Sequence, residues 1–255
     1  MLALSDAPDR RLRREATIAS PLSKGTRTRQ VRLVQELLCL HDCKVAVDGV
    51  FGDATEAAVR RFQAASRIPA TGRVNQATLT GLVQPLLRAI APDPDPAPAL
   101  AAQVVRVAKR HLAEHPLEIG GQNRGPWVRL YMAGNQGESW AWCAGFVSYV
   151  IGQACRDLGA ARPVASTISC DLLALDGQRR NLFVAAAPAA RPQPGWIFLR
   201  KRTAGDWDHA GLVAGTEATT FATIEGNTND DGSREGYEVC FRTRPSGKYD
   251  FIRIA

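Results

Sequence analysis

The sequence predicts an α+β protein that is divided into two units. Three helical patterns come first, at 30–41, 54–66 and 76–90, each with apolar residues three and four positions apart. Proline then stands at every second position of 91–99, which excludes helix and central strand. Two further helical patterns precede a series of short alternating strands, an order typical of helices packed on an antiparallel sheet.

Composition indicates a globular protein and excludes a membrane-spanning protein and a disulfide scaffold. The 255 residues are 45% hydrophobic and 22% charged, as in a globular protein with a sizeable core. No apolar run is long enough to cross a membrane, so no membrane insertion is expected. The first apolar run is also too short for a secretory signal, so we expect synthesis in the cytoplasm without a signal peptide. Six cysteines are too few for a disulfide scaffold, and mostly free thiols are expected.

Positive charge is concentrated near the N-terminus. Residues 1–90 hold 14 Lys and Arg against 8 Asp and Glu, whereas 91–255 hold 18 against 17. We expect 1–26 to form a basic, flexible tail because this segment is largely without apolar periodicity. Attraction of the tail to a polyanion, such as nucleic acid, teichoic acid, lipopolysaccharide or an anionic membrane, is the alternative.

The prolines of 91–100 predict a linker between a unit at 27–90 and a unit at 101–255. Nine residues in the polyproline conformation span about 28 Å, enough to hold two domains apart. In the first unit, 48–59 is repeated at 71–82, with a turn glycine, an apolar residue two positions later and an Ala-Thr pair in both copies. The unit is therefore interpreted as two turn-and-helix repeats preceded by one helix.

Four motifs of this unit carry a resemblance to a known family. They are Val31-Arg-Leu-Val-Gln35, Val47-Asp-Gly-Val-Phe-Gly52, Ala58-Val-Arg-Arg-Phe-Gln63 and Thr71-Gly-Arg-Val74. In this order and spacing they resemble the type 1 peptidoglycan-binding domain, a three-helix module that anchors proteins to the cell wall. The resemblance implies that Asp48, Phe51 and Phe62 take part in binding peptidoglycan. A small helical domain without affinity for the wall is the alternative.

A candidate nucleophile lies in the second unit. The pattern at 140–158 predicts a helix with Cys143 in its first turn, followed by an apolar stripe. The positive end of a helix dipole favours the thiolate, which is the reactive form of cysteine. A buried core cysteine is the alternative for Cys143 considered alone.

Two predicted strands supply partners for that thiol. His209 stands at the mouth of the strand 210–214, where an imidazole can reach a helix N-terminus and accept the thiol proton. Glu225 and Asn227 come at the end of the next strand, on one face if the strand alternates regularly. Either side chain is able to hydrogen-bond the imidazole and fix its tautomer.

Four segments then carry a second resemblance, at 142–147, 194–198, 209–213 and 224–227. They read Trp-Cys-Ala-Gly-Phe-Val, Pro-Gly-Trp-Ile-Phe, His-Ala-Gly-Leu-Val and Ile-Glu-Gly-Asn. They resemble the CHAP domains (cysteine, histidine-dependent amidohydrolases/peptidases), which cleave peptidoglycan, and in part the related NlpC/P60 peptidases. The resemblance implies a papain-like fold with N-terminal helices packed on an antiparallel sheet.

The CHAP resemblance also implies roles for individual residues. They are Cys143 as nucleophile, His209 as general base and acid, Glu225 as orienting residue, and Asn227 as a further polar group of the site. Trp142 and Trp207 are expected to line the substrate groove. The implied reaction cuts an amide bond of the wall peptide and needs no cofactor.

The resemblance leaves the bond and the biological setting open. The bond is the N-acetylmuramoyl-L-alanine amide or an internal peptide bond. The protein, expected to be a monomer, acts at the periplasm or cell wall as a phage endolysin or as an antibacterial effector. An effector would have a secretion system and an immunity protein as partners. The rival functions are a non-catalytic wall-binding protein with a degenerate hydrolase fold, and a nucleic-acid-binding protein, disfavoured because no nucleic-acid motif is recognised.

One pair of histidines has the spacing of metal ligands. His111 and His115 stand four apart, but Pro116 interrupts the helix and no third ligand is placed, so a solvated helix face is expected. No aspartate occurs between Gly120 and Gly137, so no calcium is expected before the nucleophile. We therefore expect no metal.

The remaining cysteines are interpreted as structural. Cys39, His41 and Cys43 alternate across a predicted helix end, with zinc or a local disulfide as the alternatives to burial. The same structural interpretation covers Cys155, Cys170 and Cys240.

Overall fold

The α+β class is confirmed in the computed structural model of the chain, which describes residues 2–188, 190–229 and 235–254. The helices are α1 Arg10–Glu15, α2 Arg29–Cys39, α3 Asp53–Ala65, α4 Gln76–Leu82, α5 Gln84–Ile90, α6 Leu100–Leu112, α7 Pro126–Tyr131, α8 Cys143–Leu158 and α9 Cys170–Arg179. The strands are β1 Phe183–Val184, β2 Ile197–Thr203, β3 Asp206–Thr216, β4 Thr220–Thr228, β5 Glu238–Pro245 and β6 Asp250–Ile252.

The strands form one antiparallel sheet in the order β1-β6-β2-β3-β4-β5. Its five longer strands correspond in chain order to the five predicted strands, but β6 pairs with β2 and not with β5, so the sheet departs from the predicted meander at its last strand. The predicted turn at 230–233 lies outside the described residues. Helix α8 packs on β3 and β4, so the N-terminal end of the predicted nucleophile helix faces the centre of the sheet. Within the described part of the chain, no helix combines the length and apolar character that a membrane span requires.

Buried glutamines organise the two repeats of the N-terminal unit. The side-chain oxygen of Gln35 accepts from the backbone N–H of Gly49 at 2.8 Å, and that of Gln63 accepts from Gly72 at 2.9 Å. Each amide nitrogen also donates to a threonine of the following helix, Thr55 or Thr78. Each glutamine provides hydrogen-bond partners for backbone groups of a turn, which would otherwise be unpaired on burial. The repeat seen in the sequence is therefore also a repeat of polar contacts.

The predicted helix at 76–90 is two helices. Helix α4 ends at Leu82 and α5 begins at Gln84, with Val83 between them. Pro85 lies in the first turn of α5, where its missing N–H costs nothing, whereas a continuous helix would require that donor. The proline therefore divides the pattern.

The N-terminal segment is packed against the rest of the molecule. Leu12 and Ala16 lie one helical turn apart and are buried, as is Leu22. Leu22 also forms an isolated β-bridge with Val74, through hydrogen bonds in both directions at 2.9 Å. The expectation of a flexible tail over 1–26 is therefore wrong for its described residues, because three separated apolar side chains are enough to fix the segment without producing a long periodic pattern.

The proline-rich segment 91–100 does not hold the two units apart. A single hydrophobic core includes side chains of both units. The buried guanidinium of Arg129 in α7 binds the carboxylate of Glu36 in α2 at 2.7 Å, and Gln153 in α8 donates to the carbonyl of Ala89 at 2.9 Å. Proline restricts the local backbone, but the apolar and polar surfaces on either side determine how the units pack.

Candidate active site

Cys143 is the first residue of α8 and is 4% exposed. The residue before it, Trp142, makes no side-chain cap, so the first N–H groups of the helix have no side-chain partner there. Gly145 brings this end of α8 close to α7, because a Cβ at Gly145 would lie 2.9 Å from the carbonyl oxygen of Tyr131. The helix therefore presents a buried thiol and its own positive dipole end at one point.

His209 of β3 lies beside that thiol and is also buried. Its Nε2 is 2.8 Å from Oε2 of Glu225 on the neighbouring strand β4. The imidazole also interacts with the Cys143 thiol, and this interaction raises the pKa of His209 and lowers that of Cys143. The structure thus brings together the three residues that the sequence singled out as nucleophile, base and orienting acid.

Two glycines make room for this arrangement. A Cβ at Gly211 would lie 2.7 Å from Cγ of Glu225, and a Cβ at Gly226 would lie 2.7 Å from Cβ of Phe146 in α8. Both contacts are closer than real Cβ atoms approach other heavy atoms. The glycines of the His-Ala-Gly and Glu-Gly-Asn motifs therefore allow the two strands and the helix to meet at the site.

Glu225 is held by residues that the sequence analysis did not identify. Its carboxylate is fully buried and accepts from Nε and Nη2 of Arg244 on β5 and from the hydroxyl of Thr223. The Arg244 guanidinium in turn lies 5.1 Å from the ring centroid of Phe198. Strands β4 and β5 are adjacent, so this fork-like contact depends on their register, which no local sequence signal gives.

Cys170 was also missed as a member of the site. It is the first residue of α9, and its Sγ lies 3.7 Å from Sγ of Cys143. The two thiols are 27 positions apart, and only the packing of α8 and α9 brings them together. The structural interpretation of Cys170 therefore omitted a direct contact with the candidate nucleophile.

The contacts of His209, Glu225 and Cys143 shift the pKa of each group toward its charged form. Burial disfavours a charged imidazole, but the interactions with Cys143 and Glu225 outweigh burial and raise the pKa of His209 to about 9. Burial also disfavours the Glu225 carboxylate, but Arg244 and then His209 lower its pKa to about 2. The hydrogen bond with Cys170, followed by the interaction with His209, holds the pKa of Cys143 well below its usual range. The site therefore favours a thiolate at Cys143 beside an imidazolium.

The proton of the thiol pair is retained by Cys170. Its hydrogen bond to Cys143, together with burial, raises the pKa of the Cys170 thiol. The negative charge of the pair therefore resides on Cys143, which has His209 as a second neighbour. Cys170 acts as a hydrogen-bond donor in this arrangement.

Asn227 is placed differently from the prediction. Its φ is 54°, a left-handed conformation, and the pairing of β4 with β5 shifts register between Glu225 and Thr228. The regular alternation expected of Glu225 and Asn227 is therefore interrupted. Among the described residues, the buried Oδ1 of Asn227 has no hydrogen-bond partner, and no hydrogen bond joins Asn227 to His209. Of the two candidates, Glu225 is the residue that contacts the imidazole.

The tryptophans expected in the substrate groove are core residues. Trp142 is fully buried, and its indole N–H donates to Glu118 at 2.8 Å. Trp207 is buried as well, and its indole N–H donates to Asp250 at 2.8 Å. The expectation that these rings contact substrate is corrected, because their faces are covered and their polar atoms have partners inside the protein.

The predicted wall-binding residues of the N-terminal unit are also largely internal. Phe51 and Phe62 are buried in the core and present no ring face to solvent. Asp48 is exposed, but its carboxylate accepts from Gln35 and from the backbone N–H of Val50, both at 2.8 Å. The two phenylalanines therefore stabilise the fold, and Asp48 shapes the turn.

The histidine expected on a solvated helix face is buried. Nδ1 of His111 lies 2.9 Å from the Tyr131 hydroxyl, and its Nε2 lies 3.0 Å from Oε1 of Gln153. Burial lowers the pKa of His111 to about 4, so it is a neutral link between three helices. The apolar stripe of α6 extends to His111, which the residue types alone did not indicate.

The described residues contain no group of three or more His, Cys, Asp or Glu that is arranged to hold a metal ion. All six cysteines are free thiols. At the end of α2, Sγ of Cys39 donates to the carbonyl of Val45, and Nε2 of His41 contacts the carbonyl of Leu82 at 2.8 Å. These groups point to separate partners.

Comparison with known proteins identifies the N-terminal unit. No curated protein matches the chain. Residues 27–82 match the model of the PG_binding_1 family, a peptidoglycan binding domain, over α2, α3, α4 and both glutamine-organised turns. The resemblance predicted for this unit is confirmed, with peptidoglycan as the partner that the family indicates. Residues 27–82 of this protein therefore form a peptidoglycan-binding domain, which indicates association with the cell wall.

Proposed function

We propose that the protein is a peptidoglycan hydrolase that cuts an amide bond of the wall peptide with a cysteine nucleophile. The observation that carries the proposal is the buried contact of Cys143, His209 and Glu225, in which the pKa values favour a thiolate and an imidazolium. Such perturbed groups are typical of nucleophilic catalysis. The motifs around them resemble those of CHAP domains, and the same chain carries a wall-binding domain.

The first half of the reaction uses the charges already present. The Cys143 thiolate attacks the carbonyl carbon of the scissile amide, and the oxyanion develops near the uncapped N–H groups of α8. The His209 imidazolium then donates its proton to the leaving amine. The C–N bond breaks, and the acyl group remains on Cys143 as a thioester.

The second half restores the thiolate. Neutral His209 accepts a proton from water, and the resulting hydroxide attacks the thioester carbonyl. The C–S bond breaks, the carboxylic acid product leaves, and the proton returns the imidazole to its charged form. Glu225 keeps Nε2 protonated throughout, because its own position is fixed by Arg244 and Thr223.

The wall-binding domain raises the local concentration of substrate at the active site. Peptidoglycan is an insoluble polymer, and binding it at one site makes the encounter with the second site intramolecular. The direct packing of the two units limits the distance between them, since Arg129 joins Glu36 across the interface. The bond is the N-acetylmuramoyl-L-alanine amide or a peptide bond of the stem or cross-bridge, in an endolysin or an antibacterial effector.

The test is mass spectrometry of the muropeptides that the full chain releases from purified sacculi. The variant Cys143→Ala is compared with wild type and with Cys155→Ala, which removes a buried thiol from the other end of the same helix. We expect defined fragments from wild type and Cys155→Ala and none from Cys143→Ala. The masses of the fragments identify the bond.

The competing function is wall binding without catalysis. It is favoured by the fact that the family match covers only the binding domain. It predicts that wild type and Cys143→Ala both sediment with sacculi and that neither releases fragments. That outcome would overturn the hydrolase proposal and leave the binding function in place.

A further inference from the structure

Two helices of the C-terminal unit begin with a cysteine, and their first residues meet. Cys143 opens α8 and Cys170 opens α9, with 3.7 Å between the sulfur atoms. Both side chains are buried, Cys143 to 4% exposure and Cys170 to 8%. The proposed reaction uses Cys143 as its nucleophile and Cys170 only as a hydrogen-bond donor, a role that does not require a second sulfur at this distance.

Cys170 is held in place by its own element. The hydroxyl of Ser169 caps α9 by accepting from the backbone N–H of Leu172 at 3.3 Å. The carboxylate of Asp171 accepts from the backbone N–H of Trp207 at 2.7 Å, two residues before His209. The start of α9 is therefore tied to the strand that carries the imidazole, and the sulfur contact is fixed by the fold from both sides.

We propose that Cys170 is a resolving cysteine, which converts a peroxide-oxidised Cys143 into an intramolecular Cys143–Cys170 disulfide. The oxidant is hydrogen peroxide or an organic hydroperoxide. The Cys143 thiolate attacks one peroxide oxygen, the O–O bond breaks, and Cys143 becomes a sulfenic acid while hydroxide or alkoxide leaves. Sulfur is oxidised by two electrons, and the peroxide is reduced.

The second step closes the disulfide. The Cys170 sulfur attacks the sulfenic sulfur, the S–O bond breaks, and the thiol proton leaves with the hydroxyl group as water. A disulfide needs about 2.05 Å between sulfur atoms, so the pair must approach by little more than a bond length. Both side chains stand at the first residue of a helix, Cys143 in α8 and Cys170 in α9.

The geometry assigns this role to one pair of thiols. Cys39 and Cys155 donate to backbone carbonyls, those of Val45 and Ala161. Within the described chain, the hydrogen bond between Cys143 and Cys170 is the one thiol–thiol contact that the structure contains. The nucleophile is also the thiol whose thiolate is favoured, and thiolates are the form that peroxides oxidise.

The disulfide protects the nucleophile and switches it off. A sulfenic acid without a resolving thiol proceeds to sulfinic acid, which ordinary thiols do not reduce. A disulfide is returned to two thiols by dithiothreitol. On the basis of the proposed hydrolase function, the oxidised protein would release no muropeptides until it is reduced.

The experiment treats the full-length reduced protein with hydrogen peroxide in the presence of a metal chelator, blocks remaining thiols with iodoacetamide, and maps peptides without reduction. We expect a Cys143–Cys170 cross-linked peptide in wild type, which dithiothreitol removes. In Cys170→Ser we expect no cross-link and accumulation of Cys143 sulfinic acid that dithiothreitol does not reverse. Cys39→Ser, which changes a half-buried thiol of the binding domain, is expected to cross-link like wild type.

The readout is covalent and does not depend on hydrolysis. If wild type and Cys170→Ser accumulate Cys143 sulfinic acid equally and no cross-linked peptide forms, Cys170 is not a resolving cysteine. A cross-link that joins Cys143 to a different cysteine has the same consequence. If the cross-link forms and dissolves as expected while no muropeptides are released in any state, the redox inference stands and the hydrolase proposal fails.

Discussion

The two units of the protein bury polar side chains for different purposes. In the N-terminal unit, Gln35 and Gln63 are neutral and bond to turns of their own unit. In the C-terminal unit, Glu225 and Arg244 are charged and hold a histidine beside a thiol. A neutral amide with all its partners stabilises a fold at little cost, whereas buried charges carry a large desolvation penalty. Buried charge also occurs where Glu36 meets Arg129 between the units, but among the described residues only the ion pair of Glu225 and Arg244 holds a histidine beside a thiol, which marks the C-terminal unit as the reactive one.

The comparison also distinguishes repeated from unique contacts. The glutamine network occurs twice, in turns that are related by the internal repeat, and each copy serves its own turn. The network around Glu225 occurs once and draws one residue from each of three neighbouring strands, His209, Glu225 and Arg244. A repeated network can be recognised from sequence, but a unique one requires the register of the sheet.

The largest effect is expected from neutralising the orienting acid. Glu225→Gln removes the charge that keeps His209 in the required tautomer, and we expect release of muropeptides to fall by about 10³–10⁴-fold, as for the acid of a catalytic triad. Glu217→Gln, at an exposed position near the end of β3, is the matched control and should keep wild-type rates. Circular dichroism of both variants separates loss of chemistry from loss of fold. A folded Glu225→Gln variant with wild-type activity would contradict the role given to Glu225.

The next effect concerns the contact between the units. Arg129→Met leaves the buried carboxylate of Glu36 without its partner, and we expect the free energy of unfolding to fall by about 3–5 kcal/mol. Arg88→Met breaks a second ion pair between the units, which the half-exposed side chain of Arg88 forms with Glu114. This control should cost about 0–1 kcal/mol. Urea unfolding measures the free energy of unfolding of both variants. Equal losses would mean that the buried pair of Arg129 and Glu36 does not stabilise the contact between the units.

A smaller effect is expected within the binding domain. Gln63→Ala leaves the buried N–H of Gly72 without its acceptor, which should lower the free energy of unfolding by about 1–3 kcal/mol. Gln35→Ala should cost a similar amount through Gly49, whereas the exposed Gln30→Ala should be nearly neutral. None of the three should alter the reactivity of Cys143. A change in that reactivity would show that the two networks are coupled and would break the distinction drawn between them.

The contacts that sequence reasoning found share a property: each side chain lies close to a local pattern. Cys143 opens an apolar helical stripe, and His209 and Glu225 lie on successive strands that pair antiparallel. The repeated turns and the wall-binding motifs are likewise local, and the family match confirms them.

The contacts that were missed depend on tertiary packing. Cys170 reaches Cys143 only because α9 packs beside α8, and Arg244 reaches Glu225 through strand register. The burial of His111 and of the N-terminal segment likewise depends on which surfaces meet, which composition does not specify. Asn227 was misplaced because a left-handed residue broke an alternation that was assumed to be regular.

The central claim is that the C-terminal unit holds a reactive thiolate at Cys143, and the pH dependence of its alkylation tests that claim most directly. The pKa of Cys143 is held well below its usual range and that of His209 is raised to about 9, so the thiolate–imidazolium pair is favoured on the acid side of pH 9. Peptide mapping after brief treatment with iodoacetamide should give nearly the same Cys143 rate at about pH 6 and about pH 8. Over that range a free cysteine peptide gains about a hundredfold, because an ordinary thiol has a pKa near 8.5. A Cys143 rate that rises in parallel with the peptide would contradict the account.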